Sequence, residues 1–296
     1  MEIPVKAALP PGCGFAERYL RLMRICLTRS FVEPCYAEIP RNTRTLAKSL
    51  RYAVYSALQH VLRPFRLSIV QTNRSTGETM MGMGALENLH AAMHQVVGNH
   101  VPGDFVETGV WRGGGTIYMR AFLEAYSEPQ RRVWVCDSFE GLPKPKDEYE
   151  ADSGSRFWES EYLAVSMDEV KRNFDFYDLF DERVCFIKGF FSDTMPTAPI
   201  DQIAILRLDG DMYESTIVVL EHLHPKVSQG GIVIIDDYGI LPECNRAVED
   251  YRLKHGITDP LQIIGYVKGA PFGAYWCKGG MKTSALEASL NTRVQP

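Results

Sequence analysis

The sequence contains no long hydrophobic run and no stretch typical of an export signal. No apolar segment reaches the ~20 residues that a membrane-spanning helix requires. The N-terminal stretch MEIPVKAALPPGCGF has prolines where a signal peptide needs an apolar core. We therefore expect a cytoplasmic protein with no stable membrane insertion.

Cysteine pairs are missing as well. The cysteines are scattered, their number is odd and none of them forms a C-x-x-C pair. This pattern disfavours both a disulfide framework and a cysteine-based zinc site, and it favours buried free thiols in a reducing compartment. The seven cysteines are Cys13, Cys26, Cys35, Cys136, Cys185, Cys244 and Cys277.

An excess of positive charge is also absent. The net charge of the 296 residues is −5 and the sequence pI is about 5.9, so bulk electrostatics give no reason to expect a nucleic-acid partner. With 45% hydrophobic and 23% charged residues, the chain can bury one large core. We expect a main domain over residues 101–296, preceded by a helical extension or lid over residues 1–100.

The N-terminal extension contains two segments with helical spacing of apolar residues, at Ala16–Thr28 and Thr79–Val97. Between them, residues 41–77 carry seven Arg or Lys and no acid. This basic segment suits a helix packed on the domain or on a neighbouring subunit. A mobile lid over an acceptor pocket and a basic face on a membrane surface are the alternatives. The N-terminal helices thus also offer a surface for a homo-oligomer.

Two histidines, His90 and His94, are four residues apart on the second of these helices. This is the spacing of two metal ligands on one helix face. Because no H-E-x-x-H pattern accompanies them, a solvated or packed helix face is the favoured interpretation.

From Asp104 onward, predicted strands and helices alternate, which is typical of a parallel sheet. Ser166 and Glu169 form a capping box at the start of one of the helices. The last two strands are expected to form an antiparallel pair. Strands are predicted at Asp104–Glu107, Arg132–Cys136, Val184–Lys188, Ile203–Leu208, Gly231–Ile235, Leu261–Tyr266 and Gly273–Cys277, and helices at Ser215–Leu223 and Cys244–Lys254.

The first strand leads into a glycine-rich turn in the stretch DFVETGVWRGGG, and a helical pattern follows the turn. Glycines here allow a sharp bend and a close approach to a ligand, while the helix N-terminus offers unpaired N–H groups. The dinucleotide spacing G-x-G-x-x-G is not met, because Trp111 stands in place of the second glycine. An ordinary strand-to-helix turn is the alternative. The spacing resembles the cofactor loop of S-adenosylmethionine-dependent methyltransferases, most closely the catechol O-methyltransferase type.

Acidic residues follow the ends of four predicted strands: Glu107, Asp137, Asp209 and the pair Asp236-Asp237. In an open parallel sheet these positions meet at one edge, where ligands bind. One such acid is commonly a helix cap or part of a turn, whereas an array of them points to a site.

Two tasks suit these acids. Asp137 is placed to accept hydrogen bonds from a ribose diol, its alternative being the N-cap of a helix near Ser138. Asp209, Asp236 and Asp237 would repel one another unless a cation or protons neutralise them, and a set of hard oxygens suits Mg²⁺ or another hard divalent cation. Asp211 stays ambiguous between a cap of the helix at Ser215 and the edge of this metal site.

Several long motifs, in order, resemble the macrocin O-methyltransferase family, with the mycinamicin and novobiocin-sugar methyltransferases as close kin. The resemblance covers roughly residues 78–278, and the basic segment does not look typical of the family. The motifs are VPGDFVETGVWRGGG, EYLAVSMDEVKRNF with VCFIKGFFSDTMP, LRLDGDMYESTIVVLEHLHPKVSQGG, and IIDDYG with CNRAVEDYR, preceded by TMMGM.

The resemblance implies an α/β fold of class I methyltransferase type, a Rossmann-like doubly wound sheet that is mostly parallel with an antiparallel C-terminal strand. It implies methylation of a sugar hydroxyl on an antibiotic, a small-molecule acceptor, with S-adenosylmethionine and Mg²⁺. Phe190 or Phe191 would pack beside the adenine. The cofactor residues carried over are Met81, Glu107, Thr108, Gly109, Asp137, Ser138, Ser192 and Asp209, and the metal ligands are Asp209, Asp236 and Asp237.

The same resemblance leaves the catalytic base to be chosen. The catechol enzymes place a lysine a few residues after the aspartate that corresponds to Asp209, but Met212 occupies that place here. No histidine lies beyond His255, so Asp209 is our candidate base. A catechol-type enzyme acting on a phenolic diol and a cofactor-binding scaffold without catalysis are the competing hypotheses. The glycine spacing disfavours a dehydrogenase.

Overall fold

The computed structural model describes residues 14–29, 77–267 and 270–280, so residues 41–76 of the basic segment lie outside the described part. The helices are α1 (Phe15–Thr28), α2 (Met83–Gly98), α3 (Gly114–Ala125), α4 (Met167–Phe176), α5 (Phe191–Thr194), α6 (Tyr213–Leu223) and α7 (Pro242–Lys254). The strands are β1 (Asp104–Thr108), β2 (Val133–Asp137), β3 (Val184–Lys188), β4 (Ile203–Leu208), β5 (Val227–Ile235), β6 (Gln262–Val267) and β7 (Ala270–Cys277).

These strands form a seven-stranded sheet in the order β3-β2-β1-β4-β5-β7-β6. The first five are parallel to one another, and β7 runs antiparallel to both β5 and β6. The predicted fold class is confirmed, and so is the antiparallel pairing of the last two strands. The sequence did not show that β7 would insert between β5 and β6.

Each face of the sheet is covered by its own hydrophobic core, because neighbouring strand residues point to opposite faces. Phe105 packs with α1–α4 on one face, whereas Val106 packs with α6 and α7 on the other. The central strands are buried on both faces, which is why they read as continuous apolar runs.

The two N-terminal helices belong to the first of these cores. The buried residues Leu20 and Leu27 of α1 join Leu86 and Leu89 of α2 there, which bears out the predicted amphipathic character of α1. Helix α2 begins at Met83, four residues later than predicted, since the Thr79 hydroxyl accepts the Met81 N–H at 3.0 Å and holds a turn ahead of the helix. No helix among the described residues has the length and apolar character needed to span a membrane.

Other boundaries differ modestly from the prediction. Ser166 caps α4 as expected, accepting the Glu169 N–H at 3.2 Å. Strand β5 begins at Val227 instead of Gly231, and α6 begins at Tyr213 instead of Ser215. The earlier start of α6 has a cause that the local sequence does not contain, which the next section describes.

Candidate active site

The strand register brings the predicted acids to one edge of the sheet. Thr108 of β1 is paired with Cys136 of β2 and with Leu208 of β4, and Leu208 is paired with Ile235 of β5. The four strands therefore end at the same level, and the next residue of each continues in one row. This row consists of Gly109, Asp137, Asp209 and Asp236.

An open cavity of about 680 Å³ lies against this row. Of the predicted cofactor and catalytic residues, it is lined by Gly109, Asp137, Ser138, Ser192 and Asp209. Its walls also include Trp111, Phe190, Phe191, Asp211 and Glu214. The mixture of aromatic walls with a few convergent polar groups is typical of small-molecule pockets.

The glycine turn between β1 and α3 borders this cavity through Gly109. Gly109 has a φ of 81°, and a Cβ at this position would lie 1.6 Å from the backbone oxygen of Asp209. Only glycine therefore allows the ends of β1 and β4 to meet. Gly113, the residue just before α3, has a φ of 88° and lies in the left-handed region of backbone conformation.

Asp137 organises the loops beside the cavity. One of its carboxylate oxygens accepts the Val110 N–H at 2.8 Å and the other accepts the Phe139 N–H at 2.7 Å. No helix begins at Ser138 in the described chain, so the alternative of a helix cap does not apply here. Burial raises the pKa of Asp137, and hydrogen bonds from the backbone N–H groups of Phe139 and Val110 act against this rise.

The carboxylates of Asp209, Asp236 and Asp237 converge at the ends of β4 and β5. One oxygen from each lies within 4.8 Å of the others. Asp209 and Asp236 keep 29% and 28% of their side-chain surface exposed, while Asp237 is buried. The structure therefore brings these three acids together, as the sequence predicted.

Arg207 lies directly behind this cluster, and sequence reasoning missed it. Its guanidinium is 1% exposed and contacts Glu107 at 2.6 Å, Asp209 at 3.1 Å, and also Asp236. Register explains the contacts, since Arg207 is paired with Glu107 across the strands and lies two residues before Asp209. An arginine inside the apolar strand pattern ILRL was the available signal.

The single positive charge of Arg207 does not neutralise all the carboxylates around it. Burial raises the pKa of Asp209 well above its usual range, and the charge of Asp236 raises it further against the opposing effect of Arg207. Burial likewise raises the pKa of Asp237, and it raises the pKa of Glu107 to about 7. The cluster therefore has a deficit of positive charge, which a divalent cation would remove.

Asp211 belongs to the edge of this cluster. Its backbone N–H donates to Asp237 at 3.1 Å, its φ is 57°, and burial together with the charge of Asp236 raises its pKa to about 6. The start of α6 is instead capped by Asp152, whose carboxylate accepts the N–H groups of Tyr213 at 2.7 Å and Glu214 at 2.9 Å.

The acid-rich loop of residues 140–160 thus contacts the site directly. Besides Asp152, Lys146 of this loop pairs with Glu214 at 2.5 Å and lies 3.4 Å from the Ser192 hydroxyl. On the opposite wall, Trp111 donates its indole N–H to the Tyr162 carbonyl at 2.9 Å. Nothing in the local sequence of the loop singled out Asp152 from its acidic neighbours.

Three predicted cofactor residues are placed away from the cavity wall. Glu107 and Thr108 are buried at the end of β1, beneath Gly109. Met81 is buried in the hydrophobic core, whereas the neighbouring Met80 lines the cavity. The cofactor contacts of these residues remain predictions.

Residues 16–278 match the family model described as "Macrocin-O-methyltransferase (TylF)". Among curated proteins, the chain is 50% identical over 204 residues to a demethyldecarbamoylnovobiocin O-methyltransferase of Streptomyces niveus, which covers 68% of this chain and 76% of the relative. It is 41% identical over 243 residues to a mycinamicin III 3''-O-methyltransferase of Micromonospora griseorubida, covering 78% and 93% respectively.

Solved structures give a consistent result. The O-methyltransferase NovP superposes with a TM-score of 0.73 at 42% identity, over 89% of this chain and 99% of that chain. The calicheamicin methyltransferase CalS11 has a TM-score of 0.52 at 23% identity, covering 89% of this chain and 92% of that chain, which supports the shared fold alone.

Proposed function

Since this chain belongs to the macrocin O-methyltransferase family and is an O-methyltransferase, we propose that it transfers a methyl group from S-adenosylmethionine to a sugar hydroxyl of a glycosylated natural product, with Mg²⁺ or another hard divalent cation. The observation that carries this proposal is the convergence of three strand-end carboxylates, of which Asp209 lines the cavity that also contains the glycine turn.

The cavity suits the cofactor on several counts. Gly109 lines the cavity at the glycine turn, and Asp137, at the end of β2, lines it where a ribose diol could hydrogen-bond to its carboxylate. Phe190 and Phe191 provide apolar surface for the adenine, with Ser192 beside them. We assign Gly109, Asp137, Ser138 and Ser192 to direct contact, and Met81, Glu107 and Thr108 to the surrounding shell. When bound, the cofactor supplies a sulfonium methyl group.

The acidic cluster suits a hard divalent cation by charge and by ligand type. Asp209, Asp236 and Asp237 offer only oxygens, which Mg²⁺ prefers. Arg207 takes one oxygen of Asp209 and one of Asp236, which fixes the orientation of both carboxylates. A cation held there would lower the pKa of the acceptor hydroxyl and fix its position.

We propose Asp209 as the base that removes the hydroxyl proton. It lines the cavity and belongs to the acidic cluster, so it lies where the cation and the acceptor hydroxyl would meet. Asp211 is the second candidate, because it also lines the cavity and has a pKa near 6. Alignment of acceptor and methyl group supplies much of the remaining rate.

The acceptor class rests on the relatives. The novobiocin and mycinamicin enzymes are named for glycosylated antibiotics, which favours a sugar hydroxyl over the phenolic diol of a catechol-type enzyme. The cytoplasmic location and the homo-oligomer expected from the sequence remain predictions.

Isothermal titration with S-adenosylmethionine, with and without Mg²⁺, tests the cofactor and the metal together. We expect micromolar cofactor binding and a separate Mg²⁺ heat that Asp236→Ala abolishes while cofactor binding persists. A folded protein that binds no cofactor would rule out the proposal. If Asp236→Ala retained the Mg²⁺ binding heat, the metal would bind at a site other than the acidic cluster.

Turnover assays then separate the candidate bases and acceptors. Asp209→Asn should reduce turnover by at least ~1,000-fold, since it removes both a base and a metal oxygen, whereas Asp211→Asn should cost less than ~100-fold. The reverse order would make Asp211 the base. Turnover of a simple catechol in preference to deoxysugar glycosides would favour the catechol-type alternative.

A further inference from the structure

A second group of metal-ligating side chains lies on the helical side of the molecule, away from the strand ends. Glu17 of α1 meets His90 and His94 of α2, and one donor atom of each lies within 4.8 Å of the others. The sequence showed the two histidines at ligand spacing but gave no third ligand, because Glu17 is more than 70 residues away along the chain. The packing of α1 on α2 supplies it.

The distances within this group suit a small tetrahedral ion. Nε2 of His90 is 3.3 Å from one Glu17 oxygen, and Nε2 of His94 is 3.0 Å from the other. In a tetrahedral zinc site with bonds of ~2.0–2.2 Å, ligand atoms are separated by roughly 3.3–3.5 Å. Because the two nitrogens contact different oxygens of Glu17, a rotation of this carboxylate would bring a single oxygen toward both of them to surround such an ion.

Neighbouring groups orient the ligands, as outer-shell groups do in metal sites. The Tyr118 hydroxyl is 2.8 Å from Nδ1 of His90, and Arg24 donates to the same hydroxyl at 3.2 Å. With the His90 proton on Nδ1, donated to this oxygen, the lone pair of Nε2 is directed at Glu17. The Tyr126 hydroxyl donates to the Glu17 oxygen that contacts His94, and it lies 3.2 Å from Nε2 of His94.

Access from solvent also suits a metal site. His94 is 41% exposed, which leaves an open side for ion entry and for a water ligand.

We propose that Glu17, His90 and His94 form a zinc-type site that cross-links α1 to α2. Two imidazole nitrogens and one carboxylate favour Zn²⁺ over Mg²⁺, in contrast to the all-oxygen cluster at the strand ends. Three protein ligands leave the fourth position to water. The role is structural, because the site lies between two helices that pack on the core.

Zinc titration of tag-free, full-length protein in excess Mg²⁺ tests the site, because Mg²⁺ occupies oxygen-only positions. We expect one Zn²⁺ per chain, a rise in the Tm, and imidazole scattering in the zinc X-ray absorption spectrum. His94→Asn and Glu17→Gln should each lower the zinc affinity by more than ~10-fold and remove the Tm rise.

His100→Asn is the matched control, since His100 is an exposed histidine near the end of the same helix. It should leave affinity and spectrum unchanged. Tyr118→Phe should weaken zinc binding by roughly 10-fold without removing it, as expected for an outer-shell group. The proposal is overturned by an absence of stoichiometric zinc, by a spectrum with oxygen ligands alone, or by binding that His94→Asn and Glu17→Gln do not change.

Discussion

Two arginines of this protein are buried among carboxylates, and they differ in charge balance. Arg207 faces Glu107, Asp209 and Asp236, with Asp211 and Asp237 close by, and no second cation shares these contacts in the described chain. Arg120 of α3 pairs with Asp181 and Glu124, and Arg183 pairs with the same two acids.

The acids respond to this difference in opposite ways. At Arg120, hydrogen bonds from Arg120 and Arg183 outweigh the effect of burial and lower the pKa of Asp181 to about 2. At Arg207, burial and mutual repulsion raise the pKa of Asp209 and Asp237 despite the arginine. A balanced cluster stabilises the fold, whereas the unbalanced one carries the excess negative charge that we propose a cation neutralises. Charge balance therefore separates the structural cluster from the candidate site.

The same substitution at the two arginines should have the most unequal effect. Arg207→Met leaves buried carboxylates without their counter-charge, so we expect the free energy of unfolding to fall by ~3–5 kcal/mol. Arg120→Met should cost only ~1–2 kcal/mol, because Asp181 and Glu124 keep Arg183 and are partly exposed. Urea denaturation of both variants measures the difference.

A double variant distinguishes the loss of charge balance from a simple loss of side-chain packing. Glu107→Gln added to Arg207→Met removes one of the stranded charges and should recover part of the loss. Equal losses for the two single variants, or no recovery in the double variant, would remove charge balance as the distinguishing property.

Removal of one acid from each cluster should separate function from stability. Asp236→Asn should lower turnover by ~100-fold or more, about 2.7 kcal/mol of transition-state stabilisation, and leave the free energy of unfolding unchanged or up to ~1 kcal/mol higher. Asp181→Asn should leave turnover unchanged and lower the free energy of unfolding by ~1 kcal/mol, since the exposed part of this ion pair is screened by solvent.

Methyl-transfer assays and urea denaturation on the same preparations give both quantities. The contrast would be lost if Asp236→Asn kept its turnover, or if Asp181→Asn lost it in a folded protein.

A buried histidine outside both clusters shows the effect of burial on a pKa without an ion pair to oppose it. His224 contacts the Tyr251 hydroxyl at 3.1 Å, and burial, aided by the charge of Lys278, lowers its pKa to about 4. The pKa of His224 is higher in the unfolded chain, at ~6.5, so acid favours unfolding. The stability that the folded protein has with a neutral His224 is complete above pH 6.5 and is lost progressively as the pH falls toward 4. From pH 6.5 to 5.5 the loss is ~1 kcal/mol.

His224→Gln should flatten this part of the stability curve relative to the unsubstituted protein. His222→Gln, two residues earlier and partly exposed, is the control and should retain the slope. Urea denaturation at half-unit pH steps measures both curves, and an unchanged slope in His224→Gln would assign the acid sensitivity to other groups.

The sequence was sufficient for much of the fold and for bringing the acids of the candidate site to one edge of the sheet. Apolar runs ended by acids located the strands, and the rule that ligands bind at the carboxyl ends of parallel strands placed Asp137, Asp209 and Asp236 at one edge. Parallel register then aligns these ends, which requires no side-chain detail.

Contacts between distant segments were beyond the sequence pattern. The pairing of Arg207 with Glu107 joins residues 100 positions apart, and the cap from Asp152 to Tyr213 joins residues 61 positions apart. Both depend on which strand neighbours which and on the path of a long loop. For Arg207 a signal existed, since its alternation with Asp209 places both side chains on one side of β4.

The cap that Asp152 provides has a consequence for how the acceptor range of such an enzyme can change. The fully buried carboxylate of Asp152 holds two N–H groups at the start of α6, the helix that brings Glu214 and Ser215 to the cavity. If the loop moved away, the Asp152 carboxylate and both N–H groups would lose their hydrogen-bond partners. The loop and the helix therefore behave as one rigid wall. If the acceptor binds in this cavity as proposed, we expect new acceptors to be accommodated by exchange of the side chains on that wall, and loop insertions to be tolerated only where they leave Asp152 in register with α6.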